Sequence, residues 1–329
     1  MHAAWYERTG EAEAVLEVGE IPDPEPGPGE LRVRVHVSGV NPADVKRRSG
    51  WGGIAMEFPR VIPHDDGAGI VDAVGPGVDS SRIGERVWLW DTRVGRATGS
   101  AAEHVCVPAR NAESLPDEID FAQGACLSTP ARTAHQCLVT GDGVAGKTVL
   151  VAGAGGAVGE ATVQLARAAG ATLVIGTTGR PQSRAIAEAA GCDLVLDYRI
   201  DDLAAAVMDA TSGRGVDRVA EVDLAANIDL DSRICAVGGT IAYYASDSAH
   251  KPVIPVWRLL SRTIDLTPVL LYNLTGPEQR RAASDVGRWL SEGRLRSTIG
   301  RRFALAEVAA AHTAVEQRTF GGNVVIELA

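Results

Sequence analysis

Thr148-Val149-Leu150-Val151-Ala152-Gly153-Ala154-Gly155-Gly156-Ala157-Val158-Gly159 is the stretch that decides the fold. Thr148 to Ala152 is an apolar, β-branched run that reads as a strand. The glycines after it make a tight turn, and Ala157 to Ala169 has the spacing of an amphipathic helix. Ala154-x-Gly156-x-x-Gly159, with a further glycine at 153, fits the dinucleotide fingerprint. Small residues let backbone N–H groups reach a pyrophosphate. Gly159 lets the helix pack close to its strand, and the helix N-terminus faces the phosphate charge. Gly153, Gly155, Gly156, Ala157, Val158 and Gly159 are therefore candidate cofactor contacts.

Outward from this loop, strands and helices alternate. Thr172 to Ile175 reads as a strand and Pro181 to Ala190 as a helix. Leu194 to Leu196 is a strand, and Asp202 to about Ala210 is a helix. Arg218 to Val222 is the next strand, a short helical piece follows, and Gly239 to Ala242 begins another. Such alternation predicts a doubly wound parallel sheet. Just upstream, Gly141-Asp142-Gly143-Val144-Ala145-Gly146-Lys147-Thr148 matches the phosphate loop of nucleotide triphosphatases. That loop needs a strand before it and a helix after it. Here the order is inverted, so the stretch reads as a surface turn into the sheet.

The flanks have a different texture. Leu31 to Val37 (LRVRVHV) alternates strictly, as a half-buried strand does. Pro22 to Gly29 is an extended connector. Gly69 to Val74, Glu85 to Leu89 and Glu103 to Pro108 are further strands between Gly/Pro turns. At the other end, Pro277 to Gly293 and Leu305 to Arg318 read as helices and Asn323 to Leu328 as a final strand. The expected architecture is α/β: an irregular β-rich domain from residues 1–119 and 275–329, with a Rossmann domain inserted at 120–274.

Composition narrows the function. The 329 residues carry 32 basic and 42 acidic side chains, a net charge of −10 that repels phosphate backbones, so nucleic acid is not an expected partner. No apolar stretch reaches 18 residues and the start lacks a signal-peptide pattern, so neither membrane insertion nor export is expected and a cytoplasmic protein is. Cys106, Cys126, Cys137, Cys192 and Cys235 are odd in number and widely spaced, and read as buried small hydrophobes rather than a disulfide or zinc framework.

NAD-binding Rossmann units place an acid about 20 residues beyond the loop, on the ribose 2′-hydroxyl. Here the second strand runs into Ile175-Gly176-Thr177-Thr178-Gly179-Arg180, with no acid. Thr177 and Arg180 suit a 2′-phosphate instead, with Arg184 one helical turn on. NADPH is therefore the expected cofactor.

The chain resembles the medium-chain dehydrogenases/reductases over essentially its whole length. The likeness rests on Gly39-Val40-Asn41-Pro42-Ala43-Asp44, Asp66 to Gly75, the Gly153–Gly159 loop with its following helix, and Leu305 to His312. The G-V-N-P-x-D motif resembles the zinc-free quinone oxidoreductase branch. The resemblance implies that the β-rich domain is GroES-like. Zinc-dependent relatives carry a cysteine near Gly39 and a histidine where Asp65 stands in His64-Asp65-Asp66. His64 lies one residue out of step and reads as a loop or strand-entry residue, and the structural-zinc cysteines are missing. Catalytic zinc needs about three such ligands, so no metal is expected. Without a Lewis acid, an acceptor that takes hydride readily is the better fit.

By resemblance, Asn41 and Asp44 sit near the nicotinamide, in the cleft between the domains where hydride would leave. Asn41 offers a donor and an acceptor to a quinone or carbonyl oxygen; the other reading is a residue that fixes the Asn-Pro bend. Lys46 supplies a proton or steadies negative charge, or is simply solvated. Trp51 stands in the region where enoyl reductases place a tyrosine. The resemblance further implies that Thr133 lies near the nicotinamide, that Tyr198 approaches the 2′-phosphate, and that a loop carrying Tyr244 and Ser246 passes the ribose. Arg318 matches an arginine that can reach the cofactor. Asn227 is a weaker candidate for the cleft. His135 and His312 read as structural residues. The apolar run Ile264 to Leu271 would be an edge strand that pairs in a homodimer. The expected activity is zinc-independent, NADPH-dependent reduction of a quinone. The rivals are an enone or enoyl reductase and a non-catalytic NADPH-binding sensor.

Overall fold

The computed structural model describes residues 1–199, 202–318 and 320–328. The chain forms two compact units, Met1–Thr129 with Ser297–Ala329, and Pro130–Arg296.

The first unit begins with a hairpin, β1 (His2–Trp5) on β2 (Glu17–Glu20), joined through the one-turn helix α1 (Ala12–Val15). Its main sheet is built on β3 (Glu30–Val40), which pairs with β4 (Asp66–Val74); β5 (Arg86–Leu89), β6 (His104–Pro108) and β7 (Ala112–Ser114) extend it. The alternation expected at Leu31 to Val37 is present. Leu31, Val33, Val35 and Val37 are buried while Arg34 is exposed. The inward set packs with Val71, Val87, Leu89, Val105 and Val107. At Ser38 the alternation stops, and Ser38 through Asn41 are all buried. Helix α2 (Pro42–Ser49) starts there, with Asn41 as its N-cap and Pro42 at its first position. Helix α3 (Phe121–Gly124) follows β7.

The second unit opens with most of helix α4 (Ser128–Val139), then β8 (Thr148–Val151), α5 (Ala157–Ala168), β9 (Leu173–Thr178) and α6 (Pro181–Ala190). It continues through β10 (Leu194–Asp197), α7 (Leu203–Ala210), β11 (Val216–Glu221), α8 (Leu224–Ile234) and β12 (Cys235–Tyr243). Helix α9 (Val256–Arg262), β13 (Asp265–Pro268) and α10 (Gly276–Ser291) complete it. All six strands run parallel in the order β10-β9-β8-β11-β12-β13. The order reverses between β8 and β11, which puts the glycine loop at the switch point where such sheets bind ligands. Leu150, Ile175, Leu196, Val219 and Ile241 form the core beneath. The stretch resembling a phosphate loop is a turn between α4 and β8, and its Lys147 pairs with Asp142.

The chain then returns to the first unit as β14 (Ile299–Ala304), a 3-10 turn Leu305–Glu307, α11 (Val308–Gln317) and β15 (Asn323–Glu327). The stretch Leu305 to Arg318 is thus a turn plus a helix rather than one helix. The return comes later than the sequence led us to expect, after Arg296 and not after residue 274. Helix α10 stays with the second unit because its Asp285 bonds His135 Nε2 at 2.9 Å and its Trp289 packs on the same ring. The first boundary likewise lies after Thr129 rather than after residue 119. Strand β14 was not legible: its Arg301 and Arg302 are exposed. Helix α8, expected as a short piece, has 11 residues.

Candidate active site

In the second unit, each glycine of the loop has its own reason. Gly153 has φ of +69°, a left-handed value that favours glycine. A Cβ on Gly155 would lie 2.2 Å from Ser183 O, and one on Gly159 would lie 2.2 Å from Gly153 O. Gly156 differs: it is exposed, its φ is −90°, and a Cβ there would meet only Gly153 O at 3.4 Å. Protein packing does not demand a glycine at 156. Helix α5 begins immediately after it, at Ala157, and no side chain caps it. Its first N–H groups are the kind that satisfy an anion.

Thr177 closes the loop from β9. Its carbonyl accepts Ala154 N at 2.9 Å, and its Oγ1 accepts Gly153 N at 3.3 Å. Thr177 therefore braces the loop as well as lining it. Gly179 and Arg180 follow, with Arg180 the uncapped N-cap of α6. The Tyr198 ring lies over Gly179, where an added Cβ would fall 2.4 Å from the tyrosine oxygen. Arg180 and Tyr198, both exposed, thus lie at the neighbouring ends of β9 and β10. Arg184 pairs with Glu188 at 3.4 Å, whereas the Arg180 side chain has no ion pair among the described residues. Asp197 at the end of β10 is bound by Arg199, and that pairing holds its carboxyl down near 2.

Thr133 lies on α4 and is buried. Beyond β12, Tyr244 N donates to Glu221 O, and Ser246 Oγ donates to Ala249 O at 2.9 Å. The same loop is latched by Asp223, which accepts Ser248 Oγ at 2.7 Å. Asn227 turns to Glu221, donating from Nδ2 to Oε1 at 2.9 Å. That places its amide on a buried acid.

In the first unit, Asn41 and Asp44 meet at the start of α2. Asp44 Oδ2 accepts Asn41 N at 2.9 Å. Both residues are buried, and Asn41 Nδ2 has no partner of hydrogen-bonding geometry, although the amide lies near enough to Asp66 to favour that carboxyl's ionised form. A buried donor left unpaired costs about 1–3 kcal/mol. Burial, and then Asp65, push the Asp44 carboxyl up to about 8. Lys46 stacks its ammonium over the Trp51 ring, 4.7 Å from the centroid. Arg318 caps α11 in a left-handed conformation, φ +50°.

The turn His64-Asp65-Asp66, weighed in the sequence only against a zinc site, is an acidic cluster. Asp65 is bound by Arg47, and its Oδ1 accepts Arg93 N at 3.3 Å. Asp66 accepts Thr129 N at 2.9 Å and Thr129 Oγ1 at 2.7 Å. Burial still raises its carboxyl to about 7. Tyr6 was missed. It is 3% exposed, burial raises its hydroxyl, and Arg93, Asp44, Arg47 and Asp65 act on it. The cysteines are free, four of them buried.

A parallel sheet with a glycine loop at its switch point, joined to a β-rich unit, defines a two-unit pyridine-nucleotide oxidoreductase. Comparison with known proteins specifies it further. Residues 27–117 match the family described as "Alcohol dehydrogenase GroES-like domain", and residues 157–288 match "Zinc-binding dehydrogenase". The chain is 32% identical over 318 residues to a quinone oxidoreductase of Pseudomonas aeruginosa, covering 95% of each. Among solved structures it is similar to a mycobacterial protein solved with NADPH (TM-score 0.87, 30% identity, all of both chains covered). It is also similar to one described as an NAD-dependent alcohol dehydrogenase (TM-score 0.90, 28% identity, all of both chains covered). The chain belongs to the medium-chain dehydrogenase/reductase superfamily, in its quinone oxidoreductase branch, and it is an oxidoreductase.

The family description names zinc, and the residues here do not fit it. His64 has Ser38 on one ring nitrogen and His312 on the other, and Asp65 and Asp66 are held by Arg47 and Thr129. Among the described residues, no group of three or more His, Cys, Asp or Glu is placed to hold a metal ion. No helix among them is long and apolar enough to cross a membrane.

Proposed function

We propose that the protein reduces quinones with NADPH and without zinc. The observation that carries this reading is the donor set of the acidic turn, which is committed to protein partners. An acceptor must then take hydride without a Lewis acid, and a quinone does so. The relatives named quinone oxidoreductases support the same acceptor.

N–H groups of the loop and of Ala157, Val158 and Gly159, on the open side of Gly156, would hold the pyrophosphate. Gly153 and Gly155 shape that loop, and Thr177 braces it. Arg180 and Tyr198 would take the 2′-phosphate, with Arg180 as its charge partner. Thr133, Tyr244 and Ser246 would hold the nicotinamide half. Bound there, NADPH supplies the hydride.

Asn41 presents its unpaired amide N–H to the oxygen on which negative charge grows. Asp44 fixes Asn41 by accepting its backbone N–H. Held neutral near pH 7 by burial, Asp44 adds no charge to oppose that oxygen. Lys46, held on Trp51, contributes positive field.

The apolar surface of Val253 (90% exposed), Trp257 (79%), Leu260 and Leu270, beside the free edge of β13, is covered by a second copy in a homodimer. Light scattering reads this directly: the wild type should be dimeric and Trp257→Glu monomeric.

The function is tested with 1,4-benzoquinone and a simple enone as acceptors, each with NADPH and NADH. Quinone-dependent oxidation that prefers NADPH supports the reading. Turnover on the enone alone would move the assignment to enone reduction. Tight NADPH binding with no turnover on either would point to a sensor.

A further inference from the structure

His64 and His312 are buried, lie outside the proposed chemistry and touch each other. His64 Nε2 is 3.0 Å from His312 Nε2, and the rings stack. His64 Nδ1 is 2.8 Å from Ser38 Oγ, which is 2.8 Å from Ser100 Oγ. Ser100 Oγ donates to Asp66 O at 2.5 Å. All five residues are 0% exposed.

With both rings neutral, these four contacts fix every proton. The carbonyl of Asp66 can only accept, so the Ser100 hydroxyl proton is committed to it. The Ser38–Ser100 contact then needs the proton of Ser38. Ser38 must in turn accept from His64 Nδ1–H, which leaves His64 Nε2 as an acceptor. His312 Nε2–H donates to it. Four neutral groups supply four protons to four contacts, and the left-over site is His312 Nδ1, which has no partner. Burial disfavours an imidazolium at either ring: it pushes His64 down to about 3 and His312 well below its usual range, where His64 and the guanidinium of Arg48 oppose it further.

The chain holds a strained point. His64 has φ of +79°, which costs a non-glycine residue about 1–3 kcal/mol. Asp65, just before β4, and Asp66, its first residue, are both buried, one on Arg47 and the other on Thr129.

We infer that His312, acting through His64, is a positioning residue: a one-way chain from His312 through His64, Ser38 and Ser100 to the Asp66 carbonyl holds the turn that aims Asp65 and Asp66 at Asn41 and Asp44. The catalytic consequence rests on the function proposed above; the proton order does not. His312 acts only as an N–H donor, so a glutamine can replace it and a phenylalanine cannot.

Histidine-15N NMR of the whole enzyme at neutral pH reads the tautomers. His312 should carry its proton on Nε2 and His64 on Nδ1; the reverse order at either ring, or an imidazolium, overturns the inference. His312→Gln should keep the wild-type kcat on quinone. His312→Phe should lose about tenfold in kcat at unchanged KM for NADPH. It should also shift the 13C titration of the Asp66 carboxyl, a readout that needs no turnover and separates this inference from the choice of acceptor. A folded His312→Phe enzyme with wild-type kcat and an unmoved Asp66 titration overturns the positioning role. If His312→Phe does not fold, Ser38→Ala cuts the same chain and should release the His64 tautomer, and an unchanged His64 tautomer there overturns the chain.

Discussion

The Gly153–Gly159 loop and the His64–Asp66 turn are both tight structures at strand ends, and they are built in opposite ways. The loop works through its backbone. Its glycines remove side chains, and nearly everything that shapes it lies within about one strand and helix, at Thr177 and Ser183. The turn works through its side chains. Its partners are Ser38, Arg47, Ser100, Thr129 and His312, the last 248 residues away in sequence. A site made of backbone is written locally, whereas a site made of side chains is assembled by the fold.

The largest effect should come from the loop, where the open glycine can be separated from the packed one. Gly156→Val should weaken NADPH binding about 100-fold, through loss of charge-assisted hydrogen bonds worth ~1.5–3 kcal/mol each. Its melting temperature should be unchanged, since residue 156 is exposed and its φ of −90° suits any side chain. Gly159→Ala should do the reverse, costing about 1–3 kcal/mol of stability by overpacking, because its Cβ would sit 2.2 Å from the Gly153 carbonyl. Thermal melting beside NADPH titration separates the two. If both variants behave alike, Gly156 has no role of its own.

Next in size is Arg180→Ala. It should lose about tenfold in NADPH affinity and nothing in NADH affinity. Equal losses for the two cofactors would remove Arg180 from the 2′-phosphate.

On the side-chain site, Asn41→Ala should lower kcat on quinone about tenfold, the worth of one hydrogen bond to developing charge. NADPH affinity should not move. A fall in NADPH affinity instead would make Asn41 a cofactor contact.

The smallest effect is a slope. Burial raises Asp66 to about 7 and Asp44 to about 8. A carboxyl raised in the folded state binds its proton more tightly there than in the unfolded chain. Its stabilisation is fully present below the ordinary carboxyl value near 4 and is lost as pH rises through about 7 to 8. Asp66→Asn cannot titrate, so its stability should fall less between pH 5 and pH 8 than that of the wild type. Denaturant unfolding at the two pH values measures it, and an unchanged difference would mean that Asp66 is already ionised.

The same contrast explains how far the sequence could be read. Thr148–Val151 fell where its continuous apolar run placed it, all four residues being buried, and Ala157–Ala168 and Pro181–Ala190 fell where their spacing and flanking residues placed them. The alternating Leu31–Val37 did so too. Strand β14 escaped because its Arg301 and Arg302 mask the pattern, and α10 was given to the wrong unit because only its contact with His135 reveals its neighbour. Asn41 and Asp44 were named from a motif, and their bond is visible in the fold. Arg47, Tyr6 and the His64–His312 pair had no local signal, since each gains its meaning from residues far along the chain.

The central claim is that an NADPH-dependent quinone reductase works here with no metal donor set. The most direct measurement is NADPH oxidation by 9,10-phenanthrenequinone with chelator-treated, metal-free enzyme. The account requires the full rate, unchanged by added zinc. Loss of activity on chelation, restored by zinc, would contradict it.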